Sequence, residues 1–248
     1  DKTGKKILAT GNGKCNLTNQ AIRRGCISSG VYRSGQEAFP LHVLEDFDAG
    51  DTLAFFESMG LYTKERDGYV YPMSEQAATV RDVLCWELAE HKADVVTGQE
   101  VKDIKAAGKG PSKSGFTIYT AKETYQCKKL IMACGGASSS KLGSNGSGYR
   151  LAGNLGHHII APVPALCALH CKEKYFKELA GIRLQGSVTL FTDGKMAAED
   201  SGEIQLTAYG ISGIPVFQVS RYAAKALRIK KPVTAVLDLM PAVSEKGL

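Results

Sequence analysis

The sequence predicts an α/β fold, α+β in the balance of elements this stretch carries, with a smaller β-rich second domain. Three observations predict it. A long amphipathic helix over residues 75–92 runs straight into a short apolar strand at 94–97, the order of a β-α-β unit. Another apolar strand, 124–133, ends on paired glycines, Gly135 and Gly136. From Pro162 onward the pattern turns to short strands separated by glycine turns, which sets a boundary near Ala161 and domains of 1–161 and 162–248.

The chain opens on an apolar run, Ile7-Leu8-Ala9, followed by Thr10-Gly11-Asn12-Gly13-Lys14-Cys15-Asn16. Two glycines one residue apart let a backbone pass close to a ligand and aim N–H groups at phosphate or carbonyl oxygens. The spacing is G-x-G-x-x-N, one glycine short of the dinucleotide fingerprint, and no strand of normal length precedes it. Residues 20–24 then read as a short helix closed by Gly25, and 35–39 as a linker closed by Pro40. Residues 41–59 read as two helices broken at Ala49-Gly50-Asp51, and 61–73 as a hairpin turning at Asp67-Gly68. Ser74 is the expected N-cap of the 75–92 helix, whose Ala77, Val80, Val83, Leu84 and Leu88 share one face. Strands at 100–105 and 116–120 flank a polar loop, and a glycine-rich stretch at 143–148 precedes a helix at 149–155. In the second domain the spacing predicts strands at 166–172, 182–192, 203–207 and 233–239, with a helix at 220–227.

Three blocks, in order, resemble one family. They are residues 5–19 (KKILATGNGKCNLTN), the run Ile131-Met132-Ala133-Cys134-Gly135-Gly136-Ala137-Ser138, and 202–207 with Gly210-Ile211-Ser212-Gly213. The chain is similar to the aminoacetone-oxidase-like (BaiN-like) flavoproteins, NAD(P)/FAD-dependent oxidoreductases. The resemblance implies part of a three-layer FAD-binding domain over 1–161 and an incomplete β-rich domain after it. It implies cofactor contacts at Thr10, Gly11, Gly13, Lys14, Cys15 and Asn16, at Val101 through its backbone, and at Ala133, Cys134, Gly135 and Gly136. Ser147 stands where the family usually has the Asp of T-G-D-G. Ala208 and Ile214 replace a usual His and Pro, so no catalytic base is assigned there. The implied activity is oxidation of a small organic donor through FAD, with oxygen, NAD(P) or another acceptor taking the electrons. Family members open with a strand–GxGxxG–helix–strand unit and close with a second FAD-contacting segment, so the chain is expected to be an internal piece. Such a piece is expected to hold FAD weakly or not at all, to be catalytically inactive, and to self-associate through exposed sheet edges.

Composition narrows the classes. A hydrophobic content of 44% and a charged content of 23% are ordinary for a globular protein, and no 18-residue apolar window suggests a membrane span. The net charge of +6 suits an anionic ligand; its dispersal argues against nucleic acid, leaving a basic anion- or RNA-binding module as the weaker alternative. Seven cysteines without C-x-x-C spacing point to a reducing cytoplasm.

Several features have two readings. Gly135-Gly136 is either a turn against a flavin or a tight turn after a strand. The 143–148 stretch is either an anion site at a helix start or a surface loop. Cys15, beside Lys14, is either a reactive thiol or a packed small side chain. Cys167, His170 and Cys171 invite zinc, but strand alternation sends His170 to the opposite face, and no metal ligand is assigned.

Overall fold

The computed structural model describes residues 3–27, 32, 36, 38–108, 115–241 and 243. They form two compact units, Asp1–His157 and His158–Leu248.

In the first unit a 3-10 turn, Ile7–Gly13, leads into the short strand β1 (Thr18–Asn19). This pairs with a hairpin, β2 (Thr63–Arg66) and β3 (Tyr69–Pro72), in the order β1-β3-β2. The hairpin reverses at Asp67 and Gly68, with φ of 52° and 81°, the two left-handed residues of a type I′ turn. Helices α1 (Ala38–Asp46) and α2 (Ala49–Ser58) follow the first turn, and α3 (Ala77–Glu90) follows the hairpin. A meander, β4 (Val101–Ala106), β5 (Phe116–Thr120) and β6 (Thr124–Cys127), precedes α4 (Ser147–Asn154). The small core joins Cys15, Leu61, Ala77, Val80 and Val83, with Ile7, Leu17 and Phe56 packed around it.

The mixed helix and strand content agrees with an α/β chain, but every strand pair in this unit is antiparallel. Of the two apolar runs expected as strands, one is irregular throughout and the other in its second half. Residues 94–97 form no strand, with Val95 and Val96 50% and 56% exposed, and the 124–133 strand stops at Cys127, leaving Ile131 91% exposed. A buried strand needs neighbours on both edges and cover on both faces. Among the described residues 94–97 and 128–133 pair with no strand, whereas 124–127 pair with β5 as β6.

Other boundaries move for local reasons. Phe39 and Pro40 lie inside the first turn of α1, where Pro costs no hydrogen bond; Gly35 lies outside the described residues. The α1–α2 break falls at Phe47-Asp48, because the Asp48 side chain accepts from Asp51 N (2.9 Å) and Asp51 returns the bond to Asp48 N (3.0 Å), a capping box. Ser74 is not the N-cap of α3. Glu75 takes φ 52° and delays the helix, so Gln76 holds that position while Ser74 Oγ accepts from Gln76 N.

The second unit is a five-stranded antiparallel sheet in the order β11 (Val233–Asp238), β8 (Arg183–Thr192), β9 (Lys195–Thr207), β10 (Gly210–Gly213) and β7 (Leu169–His170), packed against a helix. That helix is α5 (Ile214–Arg228). The β8–β9 hairpin runs from Arg183↔Gln205 to Thr192↔Lys195 around Asp193-Gly194. Val188, Leu190, Ile204 and Ile211 point from the sheet onto Val216, Val219 and Ala223 of α5. Burying each such aliphatic side chain contributes roughly 1.5–3 kcal/mol. The helix expected only over 220–227 begins at Ile214, because Pro215 fits its first turn. The strand expected at 166–172 shrinks to Leu169–His170, and the one expected at 203–207 lengthens back to Lys195. At Gly210 and Gly213 a Cβ would run into the carbonyls of Leu169 and Glu203, so these glycines allow close strand approach.

Candidate functional site

The Thr10–Asn16 turn lies against α3 and is exposed except at Cys15 and, in part, Lys14. Thr10 is extended (φ −80°, ψ 149°) and donates its hydroxyl to Ile7 O at 2.6 Å. Gly11, Asn12, Gly13 and Cys15 then take φ of 54°, 53°, 83° and 58°. Asn12 and Cys15 pay for the left-handed region with about 1–2 kcal/mol each. The turn closes through Lys14 N to Gly11 O (3.0 Å) and Cys15 N to Thr10 O (3.1 Å). A Cβ on Gly11 would lie 2.8 Å from Asn16 N, whereas one on Gly13 would meet nothing within 4 Å. Gly13 therefore presents bare backbone to open space, a fit for close approach by a cofactor ring. Cys15 is only 8% exposed and sits in the core, which makes it the packed side chain of the two readings.

The second glycine block is explained by the protein's own packing. A Cβ on Gly135 would lie 3.0 Å from Ser144 Oγ, and one on Gly136 would lie 2.9 Å from the Tyr149 hydroxyl. Ala133 and Cys134 are exposed beside them, and a Cβ on Gly148 would meet Cys134 Cβ at 3.1 Å. Gly146 N donates to Gly136 O at 3.0 Å, closing the loop onto the start of α4. Ser147 opens that helix, but its N–H donates to Asn145 Oδ1 (3.0 Å), so that donor is already satisfied by the chain. Val101 begins β4 opposite Thr120, with a register irregularity before Asp103.

The fold ties these expected sites together through residues that no motif announced. The Lys6 ammonium donates to Ser138 Oγ (3.3 Å) and to Ser144 Oγ, joining the first turn to the second glycine block. Arg150 on α4 donates to Lys102 O (3.0 Å), and Asn154 Nδ2 to Asp103 Oδ1 (3.4 Å), joining that helix to the strand of Val101.

A cleft of about 150 Å³ opens beside the first turn, lined by Lys14, Arg66, Asp67, Tyr69, Tyr71 and Glu75. Glu75 Oε1 forms ion pairs with two ammonium groups, Lys64 at 3.2 Å and Lys14 at 3.6 Å. The hydrogen bond from Lys64 and the charge of Lys14 hold its carboxyl below the usual carboxylate range. In the second unit, His170 stacks on Tyr209 with centroids 4.6 Å apart. All seven cysteines are free thiols, and among the described residues no helix is long and apolar enough to cross a membrane.

Residues 1–230 match the family model described as the HI0933-like protein Rossmann domain. The chain is a member of this HI0933-like, BaiN-like family of FAD oxidoreductases. A 3-dehydro-bile acid delta(4,6)-reductase of Clostridium scindens is 45% identical over 97% of this chain and 56% of its own length. Ribosomal RNA dihydrouridine synthases of Haemophilus influenzae and Escherichia coli are 28% and 26% identical over 97% and 89% of the chain, covering 56% and 52% of theirs. The chain thus spans about half the length of these curated relatives.

Proposed function

We propose that the whole protein reduces a carbon–carbon double bond conjugated with a carbonyl in an organic acceptor, using FAD charged by a reduced donor such as NAD(P)H. The observation that carries this is the shared chemistry of the relatives' names. A delta(4,6)-reductase of 3-dehydro-bile acids and a dihydrouridine synthase each add two hydrogens to an alkene conjugated with a carbonyl, and this chain aligns with them over 89–97% of its length. Oxidation of a small donor is then the charging half of the cycle.

When bound, FAD supplies the two-electron chemistry, and this chain supplies position and charge. Gly13 would let the cofactor come against bare backbone, Gly11 lets the turn fold onto Asn16, and buried Cys15 anchors the turn that presents them. Lys6 holds that turn to the Ser138–Ser144 loop. Lys14 places a cation beside the turn, within 3.6 Å of Glu75. Gly135, Gly136 and Ser147 shape the loop around Tyr149 and Asn145, a supporting part more than a direct contact.

The test uses the full-length protein under anaerobic conditions. NADPH or NADH is expected to bleach the visible flavin band, and a 3-oxo-4-ene steroid to restore it with loss of the enone absorbance. A flavin band restored only by oxygen would overturn the reductase reading. For the 248-residue chain itself we propose weak FAD uptake and self-association, favoured by the unpaired, exposed Val95, Val96 and Ile131.

A further inference from the structure

The cleft beside the glycine turn carries more positive charge than its pairing needs. Lys14 and Lys64 reach the same carboxylate oxygen of Glu75, so one carboxylate faces two ammonium groups. Arg66 and Asp67 pair with each other at 3.8 Å and cancel. The lining itself balances, and Lys64, which meets Glu75 from beside the cleft, leaves one unit of positive charge over near the wall formed by Tyr69 and Tyr71. The wall is built into the site: Tyr71 lies so close to Gly11 that a Cβ there would be 3.7 Å from its ring. Glu75, in the cleft lining, and Asn12 and Cys15, either side of Lys14 in the adjoining turn, adopt the left-handed backbone at φ 52°, 53° and 58°. Such conformations persist where surrounding structure holds them, and they gather at ligand sites. The volume of about 150 Å³ falls below that of a whole drug-sized ligand, and suits one functional group with a few carbons.

We propose that this cleft is the subsite for the single anionic group of an amphipathic organic acid substrate, its carboxylate held by Lys14 and Lys64 and its adjoining carbons laid on Tyr69 and Tyr71. The proposal rests on the reductase reading for the identity of the bound molecule as a substrate. Glu75 acts as an internal stand-in, occupying the ammonium groups until the acid's carboxylate shares them.

The test compares a 3-oxo-4-ene steroid carrying a free side-chain carboxylate with its methyl ester, on the full-length protein. Binding of both is followed by titration calorimetry, and reduction by loss of enone absorbance. The acid is expected to bind more tightly than the ester, with affinity falling as salt rises. Lys64→Gln is expected to weaken acid binding by about tenfold and to lower the acid-to-ester ratio of kcat/KM by the same factor. Glu75→Gln is expected to move both quantities the opposite way, by freeing the two ammonium groups. Equal binding of acid and ester, or shifts of the same sign in the two variants, would overturn the proposal. Acid-selective, Lys64-dependent binding without reduction would support the anion subsite and sink the reductase reading. Reduction indifferent to Lys64 would do the reverse.

Discussion

The two units solve the burial problem differently. In the second, the long β8–β9 hairpin and α5 enclose Val188, Ile204 and Val216 at 0% exposure, and each strand finds its neighbour within the unit. In the first, the main cluster lies under the glycine turn and α3, Ile104 and Leu151 are buried apart from it, and Val95, Val96 and Ile131 face outward. Antiparallel pairs need only a turn between them, whereas parallel strands need crossovers and distant partners. The contrast teaches that the first unit's main apolar cluster, under the candidate site, is small beside that of the second.

The largest effect should come from the second unit's core. Ile204→Ala is expected to cost about 2–5 kcal/mol, while Ile131→Ala should stay within about 0.5 kcal/mol. Urea unfolding, with hydrogen exchange to tell the units apart, checks this; similar losses would erase the contrast. A second prediction sharpens it within the first unit. Hydrogen bonds from Arg24 N and Asp51 N, with the Arg24 charge nearby, lower the Asp48 carboxyl from 3.8 to about 2. Because the folded value is the lower one, the stabilisation is complete above pH 3.8 and fades as pH falls through about 2. Exchange of the first amides of α2 should therefore accelerate between those values in the native protein, and lose that pH dependence in Asp48→Asn. The smallest effect is expected at the rim of the second unit. Lys231 and Asp193 pair at 3.3 Å with side chains 49% and 59% exposed, so Lys231→Gln should change the midpoint by less than about 1 kcal/mol.

Much of this was legible because it is local. The Asp67-Gly68 and Asp193-Gly194 turns, the meander strands and the α4 helix follow from glycine placement and alternation within a few residues. The 94–97 strand and the second half of the 124–133 strand do not form, because apolar composition reports a wish for burial, not the presence of a partner. Glu75 defeated the Ser74 cap because nothing in its side chain announces a left-handed backbone. In the candidate site the turn Thr10–Asn16 was visible from its glycines and the resemblance. Lys6, Lys64, Tyr71 and Arg150 were not, since their roles depend on which distant loop or strand they meet.

The two-residue reversal at Asp193-Gly194 also has a meaning in time. The β8–β9 pairing begins at Thr192↔Lys195 and extends by neighbours already close along the chain, so it closes with little loss of chain freedom. Contacts of that kind form fast. The Thr10–Asn16 turn, by contrast, gains its strand partner only when Leu17 N reaches Val70 O, more than fifty residues on. During folding, the β8–β9 hairpin of the second unit is therefore in a position to be finished while the glycine turn of the candidate site is still being assembled.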